Sequence, residues 1–250
     1  MIITTSWDDG APDDLRLADM LARHGIAGTF YVPCRNQEGR PVMNAGALRH
    51  VAQGFEIAAH TIDHVDLTAV PVDEADRQIR DGRRSLEETL GTAVRGFCYP
   101  RGRQTRTIRR LVAAAGFDYA RTVRNFRTEV GGDPFAMPVT LQLFPHRPTA
   151  YLRNLIKYGL SPQRLRLGLA ALATPNLVDR VARLVDICAH SGGVFHLWGH
   201  SWEIEEQGLW PTLDQILSHL ARSVPRAAFA SNYQVLEREQ GAAISNFRID

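Results

Sequence analysis

Eight short runs rich in β-branched and aromatic residues recur along this 250-residue chain, and stretches of helical periodicity separate most of them. A chain that alternates in this way builds βα units around a parallel sheet and covers it with helices. The runs are 2–6, 28–32, 56–59, 96–99, 119–123, 138–142, 193–198 and 227–231. They predict an α/β fold, a distorted TIM-like (β/α) barrel of seven or eight strands in a single domain, a length that one core commonly serves. Helices are predicted over 14–24, over 73–90 with Ile79, Leu86 and Leu90 on one side, over 105–115 stopped by Gly116, and over 213–222 capped by Thr212. Thr174-Pro175 opens a further helix to about Ser191, with proline at its first position.

Bulk composition narrows the class. A formal charge of +2 is too balanced for general affinity to the phosphate backbone, so no nucleic-acid partner is expected. No apolar run is long enough to cross a bilayer, and the N-terminus enters a strand pattern at once, so neither a transmembrane segment nor a standard signal peptide is expected. Cys34, Cys98 and Cys188 are widely separated and form no Cys-x-x-Cys, which fits a reducing compartment and points to the cytoplasm.

Chemistry-bearing residues cluster just after predicted strands: Asp8-Asp9, His60 with His64, the turn Tyr99-Pro100-Arg101-Gly102, and His200. In a parallel barrel those strand ends share one face, so residues distant in sequence converge on one cleft. A lone Asp-Asp is usually a solvated turn and a lone His-x-x-x-His a helix surface; together they read as a metal site beside a free carboxylate. Asp9, His60 and His64 offer one oxygen and two imidazole nitrogens to a divalent ion and leave positions open. Zinc is the first expectation, while cobalt, nickel, iron and manganese suit the same donors. Asp8 then takes the proton of the attacking water and His200 protonates the leaving group, which is metal-assisted hydrolysis of an amide or ester. His196 competes for the acid role, but it lies within its strand, as a core histidine would. Trp198 and Trp202, on either side of His200, are expected to wall a sugar-sized pocket.

Ser6-Trp7-Asp8-Asp9-Gly10 and His60-Thr61-Ile62-Asp63-His64 carry a resemblance to the polysaccharide deacetylase family, carbohydrate esterase family 4. Phe97-Cys98-Tyr99-Pro100-Arg101-Gly102 resembles the family's third motif, a cleft wall, which makes Tyr99 and Pro100 expected substrate contacts. Trp198-Gly199-His200-Ser201-Trp202-Glu203 resembles the segment that supplies the acid. The resemblance implies a metal-dependent enzyme that removes an acyl group from an amino sugar, with Asp8 as base and Asp9, His60 and His64 as ligands. Two departures stand out. Cys98 occupies the place where the family often has an arginine paired with the base, and Arg101, three residues on, is expected to hold Asp8 ionised instead. The family's aspartate and tryptophan after the fifth strand are not evident in Tyr119-Ala120-Arg121-Thr122-Val123.

Residues 134–178 contain no Asp or Glu, yet carry Arg147, Arg153, Lys157, Arg164 and Arg166 among leucines. A basic helical insertion at about 143–173 is expected beside the cleft, where such loops set specificity. It reads as a solvated basic face, as a surface for a phosphate-bearing substrate such as a sugar nucleotide or lipid-linked glycan, or as a peripheral membrane or partner-helix contact. Two other functions remain open: an amidohydrolase of a cyclic imide or ureide, and a carbohydrate-binding protein without turnover. Oligomeric state is not legible.

Overall fold

Ile2–Asp8 is the hub of the sheet, buried at every position after the first because strands pack on both of its edges and helices cover it. The computed structural model describes residues 1–246, with side chains described up to Gly241. Along the chain run β1 (Ile2–Asp8), α1 (Asp14–His24), β2 (Thr29–Val32), α2 (Ala45–Val51), β3 (Glu56–Ala59), α3 (Val72–Leu90), β4 (Gly96–Cys98), α4 (Arg106–Ala114), β5 (Tyr119–Arg121), β6 (Leu141–Gln142), α5 (Pro148–Lys157), α6 (Pro162–Ala173), α7 (Leu177–Ser191), β7 (Val194–His200), α8 (Ser201–Glu206), α9 (Trp210–Ser223) and α10 (Asn232–Asn246). The strands form one parallel sheet in the order β5-β4-β3-β2-β1-β7-β6.

The sheet curls into a distorted barrel. An irregular stretch closes it: Met137 N–H donates to Ala120 O (2.9 Å) and Thr122 N–H to Met137 O (2.8 Å), while Thr140 and Leu143 N–H donate to His196 and Trp198 O on β7. Residues 137–143 therefore join β5 to β7, with only Leu141–Gln142 regular enough to count as a strand.

Seven of the eight expected strands form. The eighth, 227–231, is a 3₁₀ turn at Arg226–Ala228 followed by a single bridge from Phe229 to Ile3. β2 pairs with β1 only from Ser6 onward, so the start of β1 has a free edge, and Ala230 N–H fills it at Ile3 O (3.0 Å). Two helix starts also differ from expectation. Asn176, whose side chain accepts from Val178 and Asp179 N–H, caps α7, so Pro175 stands outside the helix. α9 begins at Trp210, two residues before Thr212, because Pro211 in the first turn gives up an N–H that had no partner to lose.

Register sets the height of the site. Asp8 lies opposite His200 on β7 and Tyr31 on β2, and Cys98 lies opposite Arg121, so the carboxyl ends of these strands form one rim.

Candidate active site

Asp9 follows β1 directly and takes a left-handed backbone (φ 77°), as do Thr61 (φ 70°) and His64 (φ 56°) in the loop after β3. A non-glycine residue in that region costs on the order of 1–2 kcal/mol, and strain of this kind gathers at functional loops. α3 holds the loop in place. Gln78 Oε1 accepts from Ile62 and Asp63 N–H (3.2 and 3.0 Å), and its amide donates to Asp63 Oδ2 (2.6 Å). Gly82, one turn on, touches the loop backbone: a Cβ there would lie 2.9 Å from the Thr61 carbonyl carbon.

The strained turns bring Asp9, His60 and His64 together in the buried floor of the cleft, their ligand atoms all within 4.8 Å of one another. Asp9 Oδ1 lies 3.1 Å from His64 Nε2 and 3.6 Å from His60 Nε2, yet accepts no hydrogen bond. His60 Nδ1–H donates to Cys98 O (2.8 Å), which fixes the tautomer and leaves Nε2 as a lone-pair donor. Burial works to raise the Asp9 carboxyl, but the His60 and His64 rings and His200 beside it hold it well below the usual carboxylate range. An ionised oxygen without a donor, between two imidazole nitrogens, fits a divalent cation.

The other Asp9 oxygen, Oδ2, accepts from Trp202 Nε1–H (2.8 Å) on α8. Trp202 was expected as a sugar contact only; it also orients the Asp9 carboxylate, while a face of its ring is covered by Arg40 at 3.4 Å.

Asp8 adjoins this cluster and is just as buried: a carboxylate oxygen of it, a ring nitrogen of His60 and Cys98 Sγ also lie within 4.8 Å of one another. Its Oδ1 accepts from Arg121 Nη2–H, and its Oδ2 lies 3.8 Å from Cys98 Sγ. The Arg121 guanidinium sits between the Tyr31 and Trp198 rings, 5.0 and 4.9 Å from their centroids. Arg101 does not reach Asp8. Its side chain is half exposed and donates to Glu38 Oε1 (2.7 Å), which lies 3.6 Å from His64 Nδ1. The left-handed turn at Arg101 (φ 57°) points that arginine to the rim, and β5 supplies the charge partner instead. Sequence reasoning missed Arg121, although an arginine in a short, otherwise apolar strand signals a buried charge that needs a partner.

His200 stands across the cleft, its Nε2 4.0 Å from Asp9 Oδ2. Its Nδ1–H donates to Glu203 Oε2 (2.7 Å), and Gln142 donates to the same oxygen (3.1 Å). Burial pulls the imidazolium down, but the Glu203 hydrogen bond and the charges of Asp9 and Asp8 outweigh it and push His200 up to about 9. His196 is a different kind of residue: its Nε2 bonds Ser6 Oγ (2.8 Å) inside the barrel, and burial followed by the charge of Arg121 pushes it down to about 3. Burial raises the Cys98 thiol well above its ordinary value, so it is no nucleophile.

The cleft has a volume of about 490 Å³, and Trp198, Trp202, Arg101, Arg153, Lys157 and Tyr158 are among its walls. Tyr99 and Pro100, expected there, are not: both are buried, and Tyr99 O–H donates to Phe135 O (2.9 Å) behind the wall. Arg164 is also absent from the cleft. It is fully buried and its guanidinium donates to the carbonyls of Asn154 (2.9 Å), Leu155 (3.3 Å) and Gly159, the open C-terminal end of α5.

Residues 2–120 match the polysaccharide deacetylase family model. A chitooligosaccharide deacetylase of Sinorhizobium fredii is 34% identical over 84 residues, a stretch covering 32% of this chain and 37% of that relative's length. The CE4 domain of a multidomain xylanase from the hindgut metagenome of Trinervitermes trinervoides has the same fold, with a TM-score of 0.60 at 14% identity over 95% of this chain and 90% of that one. A family 4 carbohydrate esterase from Streptomyces lividans, solved with acetate, superposes with a TM-score of 0.56 at 15% identity, covering 92% and 91% of the two chains. The matched stretch contains Asp8, Asp9, His60 and His64 and ends one residue before Arg121, so over residues 2–120 the chain is similar to the polysaccharide deacetylase family, and it shares the fold of these two solved structures over nearly its full length.

Proposed function

We propose that the cleft hydrolyses the amide of an N-acylated amino sugar, with Asp8 as base, His200 as acid and a divalent ion, zinc in the first instance, held by Asp9, His60 and His64. The observation that carries this reading is the division of labour between two adjacent carboxylates: Asp9 has an oxygen open toward two imidazoles, while Asp8 is paired with Arg121. A bound divalent ion would supply Lewis-acid polarisation of the scissile carbonyl.

The chain's own residues do the rest. Arg121 pairs with Asp8 Oδ1 and holds the carboxylate in place, and Asp8 takes a proton from water as the water oxygen bonds to the carbonyl carbon. Glu203 keeps His200 protonated, and His200 passes that proton from Nε2 to the amine as the C–N bond breaks. The products are a carboxylic acid and a free amino sugar. Trp198 and Trp202 line the cleft that a sugar would occupy, and Arg153 and Lys157 at the mouth would bind a phosphate on it, which favours a sugar nucleotide or lipid-linked sugar.

Acetate release from N-acetylated chitooligosaccharides and N-acetylated sugar nucleotides, by wild type and Asp8→Asn, tests this. Release by wild type and loss in the variant are expected. Hydrolysis of a cyclic imide or ureide with no acetate from any sugar would overturn the carbohydrate assignment.

A further inference from the structure

Among the described residues, five large hydrophobic side chains are exposed, and four of them lie on α5, α6 or the loop between: Leu152, Ile156, Leu160 and Leu169. Their exposure is not a sign of a loose hairpin. Arg164 ties α6 to the last turn of α5, Arg180 of α7 donates to Tyr151 Oη (2.9 Å) and Ala171 O (2.9 Å), and Gly168 packs directly on Leu155. α5 has three faces. Tyr151 and Leu155 enter the core; Ala150, Arg153, Asn154 and Lys157 line the cleft; Leu152 and Ile156, one turn apart, face neither and are 52% and 67% exposed.

Charge decides what covers this apolar face. The stretch 134–178 has no acidic residue, and Arg147, Arg153, Lys157 and Arg166 are exposed on it. A second copy of the chain, related by a twofold axis, would press the same basic surface against itself. Leucine and isoleucine set among uncompensated arginine and lysine match an anionic lipid surface, where apolar side chains enter the acyl boundary and the cations meet headgroups. No described helix is long and apolar enough to cross a membrane, so the contact is peripheral.

We propose that the α5–α6 hairpin docks the protein on an anionic bilayer and sets the cleft mouth against it, since one helix carries both the docking face and a cleft wall. The surface goes beyond the deacetylase reading and stands without it. A sugar attached through phosphate to a membrane lipid would meet Arg153 and Lys157 as it leaves the headgroup layer.

Flotation of the full chain with vesicles of phosphatidylglycerol and phosphatidylcholine in equal parts, and with phosphatidylcholine alone, tests the surface. Binding to the anionic vesicles at low salt is expected, with loss at high salt. The double variant Ile156→Asp, Leu160→Asp changes exposed positions outside the cleft; it is expected to bind at least about tenfold more weakly. It should keep the wild-type melting temperature and any activity on water-soluble substrates, a readout that separates failure of docking from failure of the deacetylase reading. Vesicle binding that the double variant retains, or none by wild type, would overturn the proposal. So would a wild-type dimer that the two substitutions dissociate, since the face would then belong to a second copy.

Discussion

Asp8 at the end of β1 and Arg121 at the end of β5 form an enclosed ion pair across the barrel, although β2, β3 and β4 separate their strands in the sheet. The Tyr31 and Trp198 rings pack against the guanidinium, their centroids 5.0 and 4.9 Å from it. Cys98 on β4 lies opposite Arg121 in register, so the charge partner of Asp8 stands on β5, one strand away from Cys98.

Arg121→Met strands Asp8 without a partner in a buried site, and a stability loss of about 3–5 kcal/mol in denaturant unfolding is expected. Acetate release should fall at least about a hundredfold, because the base loses the hydrogen bond and charge partner that hold it in place. Arg121→Lys should recover part of both. Adding Asp8→Asn to Arg121→Met should recover stability but not turnover, which separates the fold's need for the pair from the reaction's need for the base. Arg101→Ala, by contrast, breaks only a half-exposed pair with Glu38 and should change kcat less than about fivefold.

The acid role proposed for His200 has its own pH signature. His200 must carry a proton to donate one, and its ionisation is pushed up to about 9, so kcat/KM should hold through neutral pH and fall as the pH rises through that value. Glu203→Gln removes the carboxylate behind Nδ1 and should move this alkaline limb down toward the ordinary imidazole value of 6.5. An unmoved limb in the variant would assign it to another group.

Trp202→Phe keeps an aromatic wall and deletes the N–H on Asp9 Oδ2. Loss of a hydrogen bond behind a metal ligand typically weakens metal binding about 10–100-fold, which a competitive chelator titration reads directly. If Trp202 serves only as a sugar platform, KM should rise while metal affinity stays as in wild type.

The basic residues of α5 and α6 should divide into two classes. Arg164→Leu leaves the last carbonyls of α5 without donors in a buried place and should cost about 2–3 kcal/mol of stability. Arg153→Ala with Lys157→Ala, both at the cleft mouth, should leave stability near wild type and raise KM for phosphate-bearing sugars selectively.

The strand-and-helix alternation made the barrel readable because each βα unit carries its own period, and the motifs were readable because they follow strand ends. Interactions between units were not. The ion pair of Asp8 depends on which strand faces which across the barrel, and 113 residues separate its partners. Arg101 lay nearer in sequence to the missing arginine, yet its left-handed turn sends it to Glu38. Tyr99 follows β4 at the height of the cleft but points behind the wall, as the residue after Cys98 must when side chains alternate. Likewise, nothing local marks Arg164 as a cap for α5 and Arg153 as a cleft residue; packing of one helix on the other decides it.

Metal content by mass spectrometry tests the central claim most directly, with wild type beside Asp9→Ala after dialysis without chelator. About one divalent ion per wild-type chain, with little or none in the variant, is the expected result. Wild-type protein that takes up no divalent metal even after reconstitution, or a variant that holds as much as wild type, would contradict the assignment of Asp9, His60 and His64.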